Sequence, residues 1–319
     1  MMEEQKLKKE LDDELDKTTT SINNIINEIA NLNARQYLFI KELRERILQT
    51  ESHLSYWKDS CSMYSLDTGE WTVINDKCTP RERIFNSVVY ARDSVYVFGG
   101  EGSPNTYSRF SLIDQKWHND LEIIGVDGGE SISTCYDGDN LIYLVGGCND
   151  DIVLNRVDCF NIDTQQFSTV GRLSVATRGS YSFVRRNKIF VVGGHVDVYC
   201  DTSLTEVLSF YTQTKKCFVH CETEFNTNES LLTCYNGIDQ VYITVNLCAK
   251  NSLQHSQLYL SEDDDGDNPF IFTQSHGFVS LCGGANSIRY SVLQDKWISL
   301  NGNDPVDSRE NFGSCHIYH

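Results

Sequence analysis

Apolar residues recur at alternating intervals of three and four through the first part of the chain. With heptad position a at 15, 22, 29, 36 and 43 and position d at 11, 18, 25, 32 and 39, the stripe holds Leu11, Leu15, Ile22, Ile25, Ile29, Leu32, Phe39 and Leu43, broken only by Thr18 and Gln36. A stripe with a period of about 3.5 residues closes best against another helix, so residues 1–52 are expected to form a long α-helical coiled coil that self-associates through 11–43. A single amphipathic helix lying along its own globular domain would use the same stripe.

Beyond residue 53 the pattern changes. The first 55 residues contain no Gly or Pro, and all 21 glycines and four prolines follow them. Short apolar runs rich in Val, Ile, Tyr and Phe end in paired glycines: SVYVFGG at 94–100, LIYLVGG at 141–147, KIFVVGG at 188–194 and FVSLCGG at 278–284. Such runs are strand chemistry, and VYITVNL at 241–247 fills the long gap as a run whose glycines are gone.

Paired aromatics follow with six residues between them: Tyr64 and Trp71, Phe110 and Trp117, Phe160 and Phe167, Tyr211 and Phe218, Tyr290 and Trp297, with a stretched pair at Tyr259 and Phe272. The residues between them predict two strands joined by a turn. Ahead of the Gly-pair strands stand IFNSVVYARD (84–93), ISTCYDGD (132–139), SYSFVRRN (180–187) and LLTCYNGI (231–238), which predict one further strand each.

This unit resembles the kelch repeat, a four-stranded antiparallel blade of a β-propeller, over roughly residues 56–319. The resemblance implies an all-β, kelch-type β-propeller over 53–319, with six blades of which two are incomplete. The fifth unit lacks room for its first strand. The closing blade is expected to take its first strand from FGSCHIYH at the C-terminus, with HLSYW at 53–57 standing in as its second. Within blades, Gly99, Gly100, Gly146, Gly147, Gly193, Gly194, Gly283 and Gly284, with Trp71, Trp117 and Trp297, are read as structural.

Charge narrows the function. The chain carries 27 basic and 45 acidic residues, net −18, which disfavours nucleic acid and anionic lipid. No apolar run is long enough to span a membrane, and the charged start does not resemble a secretory signal, so a cytoplasmic protein is expected. Twelve cysteines then read as reduced, packed thiols. The Cys217, His220, Cys221 cluster lacks a second ligand pair, and SEDDDGDN at 261–268 lacks the spacing of a calcium loop, so no metal and no cofactor is expected.

No nucleophile elbow, phosphate loop or histidine constellation is present, and no catalytic residue is assigned. The kelch resemblance implies that loops after the Gly pairs, and linkers between blades, bind partners on one face. Arg83, Arg178 and Arg309 precede inner strands, and with Asn86 and Tyr181 they are expected to line the propeller mouth. Arginine forks there would suit an acidic or phosphorylated loop of a protein partner. The function expected is a non-catalytic scaffold or adaptor, oligomeric through its coiled coil. The alternative is a small-molecule or metal-dependent enzyme using the mouth.

Overall fold

The computed structural model describes Thr19, residues 52–57, 60–65, 68–84 and 86–222, and then 231–235, 240–245, 255–259, 278–280, 287–291, 294, 296–300, 304–306 and 313–317. The chain divides into two compact units, Met1–Gln49 with His319, and Thr50–Tyr318. In the first, Thr19 is helical, and the heptad residues of the expected coiled coil lie outside the described residues.

The second unit is all-β. Six antiparallel sheets of three or four strands and one two-stranded hairpin are found among the described residues. Numbered along the chain, β1 (Ser52–Trp57), β2 (Ser60–Ser65) and β3 (Trp71–Ile74) join the C-terminal β24 (Gly313–Ile317) in the order β24-β1-β2-β3. Leu54 faces Cys315 on one side and Met63 on the other. The second sheet runs β4 (Val88–Ala91), β5 (Ser94–Phe98), β6 (Thr106–Ser111), β7 (Lys116–Glu122).

The third sheet comprises β8 (Ser133–Tyr136), β9 (Leu141–Val145), β12 (Arg156–Asn161) and β13 (Gln166–Arg172), with the small hairpin β10 (Cys148–Asn149) and β11 (Ile152–Val153) between its strands. The fourth runs β14 (Tyr181–Arg185), β15 (Lys188–Val192), β16 (Glu206–Tyr211), β17 (Lys216–Glu222). The fifth holds β18 (Leu231–Tyr235), β19 (Gln240–Val245) and β20 (His255–Tyr259), and the sixth β21 (Phe278–Ser280), β22 (Ile288–Ser291) and β23 (Lys296–Ser299). The first strands β24, β4, β8, β14 and β18 adjoin in that order, so successive sheets meet along their inner edges.

The near-continuous apolar runs before the Gly pairs follow from burial on both faces. In β5, Val95 and Val97 point to one side and pack with Leu54, Tyr56, Ile84, Trp117 and Ile317 of the flanking elements. Tyr96 and Phe98 point to the other side and pack with Ile142, Leu144 and Phe160 of the third sheet. The alternation repeats in β9, whose Tyr143 and Val145 meet Ile189, Val191 and Phe210. The second and third sheets are thus clamped between their neighbours, while the outer strand β7 is mostly exposed or half-buried.

Four of the five compact aromatic pairs lie directly opposite one another across a turn: Tyr64 and Trp71, Phe110 and Trp117, Phe160 and Phe167, Tyr290 and Trp297. The fourth-sheet pair is different. There Phe210 is opposite Cys217 and Ser209 opposite Phe218, so the repeat position belongs to Phe210 and Cys217 rather than to Tyr211 and Phe218. A one-residue shift in a strand exchanges its two faces, and the burial agrees: Phe210 is fully buried and Phe218 is 51% exposed.

Candidate functional site

Two of the glycine pairs, Gly99 with Gly100 and Gly146 with Gly147, fasten one sheet to the next. Gly99 has φ +60, and a Cβ there would stand 2.0 Å from the Gly129 carbonyl oxygen; at Gly146, with φ +62, it would stand 2.1 Å from that of Thr177. The second glycine of each pair uses this closeness: the Gly100 amide donates to the Gly129 carbonyl at 2.8 Å, and the Gly147 amide to that of Thr177 at 2.9 Å. The following residue forms an isolated antiparallel bridge to a segment ahead of an inner strand, Glu101 with Glu82, Cys148 with Glu130 and His195 with Arg178. The loops beyond the Gly pairs therefore start from a fixed base.

Just after these bridges, Arg83, Ser131 and Gly179 each take a left-handed conformation, with φ 53, 51 and 64. They form a backbone ladder: the Ser131 amide donates to the Arg83 carbonyl at 2.9 Å, and the Gly179 amide to the Ser131 carbonyl at 2.8 Å. Arg83 thus occupies the place of Ser131 and Gly179, whereas Arg178 occupies that of Glu130 and Glu82. The two arginines are one position out of step.

They nevertheless converge on one carboxylate. Arg83 Nη1 lies 2.8 Å from Glu130 Oε1, Arg178 Nη2 lies 3.7 Å from the same oxygen, and Arg83 Nε lies 3.1 Å from Glu101. Arg178 also donates to the Val198 carbonyl at 3.0 Å and is only 9% exposed. Asn86 donates its amide to the Ser180 carbonyl at 2.8 Å, and the Tyr181 hydroxyl accepts the Tyr235 amide at 3.2 Å. Arg309, Gly283 and Gly284 lie outside the described residues, and of Trp297 only the backbone pairing is described. The described arginines thus form ion pairs with acidic neighbours, which weakens their case as a basic centre for an acidic loop.

Two buried arginines did not stand out in the sequence. Arg81, 1% exposed, donates from Nη1 to the carbonyls of Gly99, Ser103 and Thr106 at 2.6, 2.9 and 3.0 Å, and from Nη2 to the hydroxyls of Thr106 and Ser108. Its acceptors are mostly main-chain, so no residue pattern announces them. Arg156 donates to the Gly146 carbonyl at 3.0 Å and stands 3.4 Å from Asp158, both side chains being buried.

Two loops project from the bridged bases. In the hairpin β10–β11 the tip residues Asp150 and Asp151 both have positive φ, 48 and 59, as a tight two-residue turn requires. In the loop 195–203, the Asp197 carboxylate accepts the amides of Tyr199, Asp201 and Thr202 at 2.9, 3.1 and 2.6 Å, and these bonds hold its pKa below the usual carboxylate value. Tyr199 is 82% exposed and Ile152 63%.

Nine of the described cysteines are free thiols. Burial pushes Cys135 up to about 12 and raises Cys148 and Cys159 as well, which keeps them protonated and unreactive. No cluster of metal-ligating side chains occurs among the described residues.

Comparison with known proteins places a kelch motif at residues 138–174, the span from the β8–β9 turn to the end of the third sheet. The chain is 29% identical over 139 residues to the spermatocyte protein spe-26 of Caenorhabditis elegans, covering 41% of this chain and 24% of that one. It is 26% identical over 144 residues to the kelch-like protein terF of Aspergillus terreus, covering 42% of this chain and 30% of that one. The alignments thus span less than a third of the length of either relative. Together with the all-β architecture, these likenesses support a kelch-repeat protein whose sheets fit a kelch β-propeller.

Proposed function

We propose that residues 53–319 form a six-bladed propeller that recognises a partner protein through the loops after its Gly pairs, and that residues 11–43 self-associate as a coiled coil. The protein then acts as a non-catalytic scaffold or adaptor in the cytoplasm, where thiols such as Cys61 and Cys135 stay reduced. The observation that carries this reading is the pair of loops 148–153 and 195–203, anchored by backbone bridges at their bases and presenting exposed Ile152 and Tyr199. Kelch repeats are interaction modules in general, and the kelch match supports the same reading. Multiple copies joined by a helix would add avidity to a modest single-site affinity.

Affinity purification of the full chain from native lysate tests the proposal, set against a chain whose loop 197–201 is shortened to a tight turn and whose hairpin carries Ile152→Ser, with its fold checked by circular dichroism. A protein retained by the full chain and lost from the shortened one is the expected result. If every retained protein binds both chains equally, the loops are not the recognition surface and the proposal falls. Light scattering on the full chain tests self-association separately, and a monomer would exclude the coiled coil.

A further inference from the structure

The two exposed tips belong to one surface. The base of the hairpin pairs with Glu130 through the Cys148 bridge, the Glu130 carboxylate meets Arg178, and Arg178 donates to the carbonyl of Val198, next to Tyr199. Three consecutive contacts thus lead from the base of the hairpin to the second loop. Both tips are held in place before any partner arrives: the hairpin by its two left-handed residues, and the second loop by Asp197 and by the Val196 amide bonded to the Thr202 carbonyl at 2.9 Å. A pre-set loop loses little entropy on binding, so its exposed apolar groups can act as anchors.

The charge around those anchors is of one sign. Asp150, Asp151 and Asp201 are exposed and carry no ion pair among the described residues, while Asp197 is held ionised by its three amide bonds. Arg178 at the base of the second loop, and Arg83 beside it on the same carboxylate, are engaged by Glu130 and Glu101. We infer that this surface docks a basic segment of a partner protein, one that sets Lys or Arg against Asp150, Asp151 and Asp201 and an apolar side chain against Tyr199 and Ile152. The inference rests on the partner-binding reading above and adds the chemistry of the partner. It reverses the acidic or phosphorylated loop expected from the arginines alone.

Selection of a random peptide library on the immobilised full chain tests it, followed by fluorescence anisotropy of the enriched peptides. Enriched sequences should be rich in Lys and Arg around an aromatic or aliphatic residue, and their binding should weaken as salt is raised. Asp150→Asn with Asp151→Gly keeps residues suited to the tight turn and removes two charges, so it should weaken binding about tenfold, and Tyr199→Ala about thirtyfold. Enrichment of acidic or neutral peptides, binding indifferent to these substitutions in folded protein, or no enrichment would each overturn the inference. Acidic peptides lost with Tyr199→Ala would leave the protein-binding reading standing, because the loops would still be the docking surface.

Discussion

The amide of Gly100 donates to the carbonyl of Gly129 at 2.8 Å, across the seam between the second and third sheets. That bond exists because the preceding Gly99 has no side chain: its missing Cβ is the space the Gly129 carbonyl occupies. The paired glycines are therefore an adhesive between neighbouring sheets as much as a strand terminator.

Substituting Gly99 and Gly179 by Ala separates the two costs of a side chain. Both have left-handed φ, +60 and +64, but a Cβ meets the Gly129 oxygen at 2.0 Å in one case and nothing within 4 Å in the other. Gly179→Ala should cost about 1–2 kcal/mol, the conformational strain alone. Gly99→Ala adds a backbone clash and should cost more than about 4 kcal/mol. Urea unfolding of the two variants checks this, and equal losses would show that the sheets part freely at this seam.

Arg81 is expected to be irreplaceable by lysine. Its fork serves two groups of acceptors at once, the carbonyls of Gly99, Ser103 and Thr106 from Nη1 and the hydroxyls of Thr106 and Ser108 from Nη2, which a single ammonium at the end of a flexible stem does not reproduce. Arg81→Lys should lower stability by roughly 3 kcal/mol, because buried acceptors lose charged donors. Amide hydrogen exchange should rise across residues 99–106 in that variant, whereas exchange confined to residue 81 itself would assign the arginine a lesser role.

The fourth sheet offers a test of strand phase. Phe210 is fully buried and Phe218 half exposed, though both are aromatic and close in sequence. Phe210→Ala should cost about 3–5 kcal/mol, and Phe218→Ala no more than about 0.5 kcal/mol. Thermal unfolding distinguishes them, and the reverse ranking would require a register one residue away.

Stability should fall as the solution is made mildly acidic. Burial, with the Arg178 charge second, lowers the pKa of His195 below its ordinary 6.5, and burial with the charges of Lys188 and Arg185 does the same at His220. Below that value the unfolded chain takes up protons that the folded imidazoles resist, so stability is full above 6.5 and declines as pH drops through and below it. Urea midpoints measured at about pH 7.5 and about pH 5.5 should diverge in the parent and converge in the His195→Gln, His220→Gln double variant. Parallel pH slopes in the two proteins would assign the acid sensitivity to other groups.

What the sequence disclosed was what repeats locally. The run from Val95 to Gly100 has three further copies in the chain, and the match of the C-terminal FGSCHIYH to an inner strand anticipated the pairing of Leu54 with Cys315. Phase was harder to read: Phe210 and Tyr211 are adjacent aromatics, and an alternating strand accepts either as its inward residue until its neighbours decide. The arginines showed the same limit, since Arg83 and Arg178 look equivalent by their distance from the inner strands and differ by one place in the backbone ladder. Arg81 and the hairpin at Asp150 and Asp151 were illegible for another reason: both are defined by contacts with main-chain atoms or by backbone angles.

The first sheet joins strands made at opposite times. β1 lies between β2, its neighbour in the chain, and β24, which is synthesised after every other described strand. On the ribosome, Leu54 and Tyr56 wait for their covering strand while every intervening sheet is translated, and one edge of β1 stays open to any strand that passes. Sealing of the first sheet is thus timed by β24: a stall between β23 and Ile317 leaves the middle sheets translated and the first one open along β1.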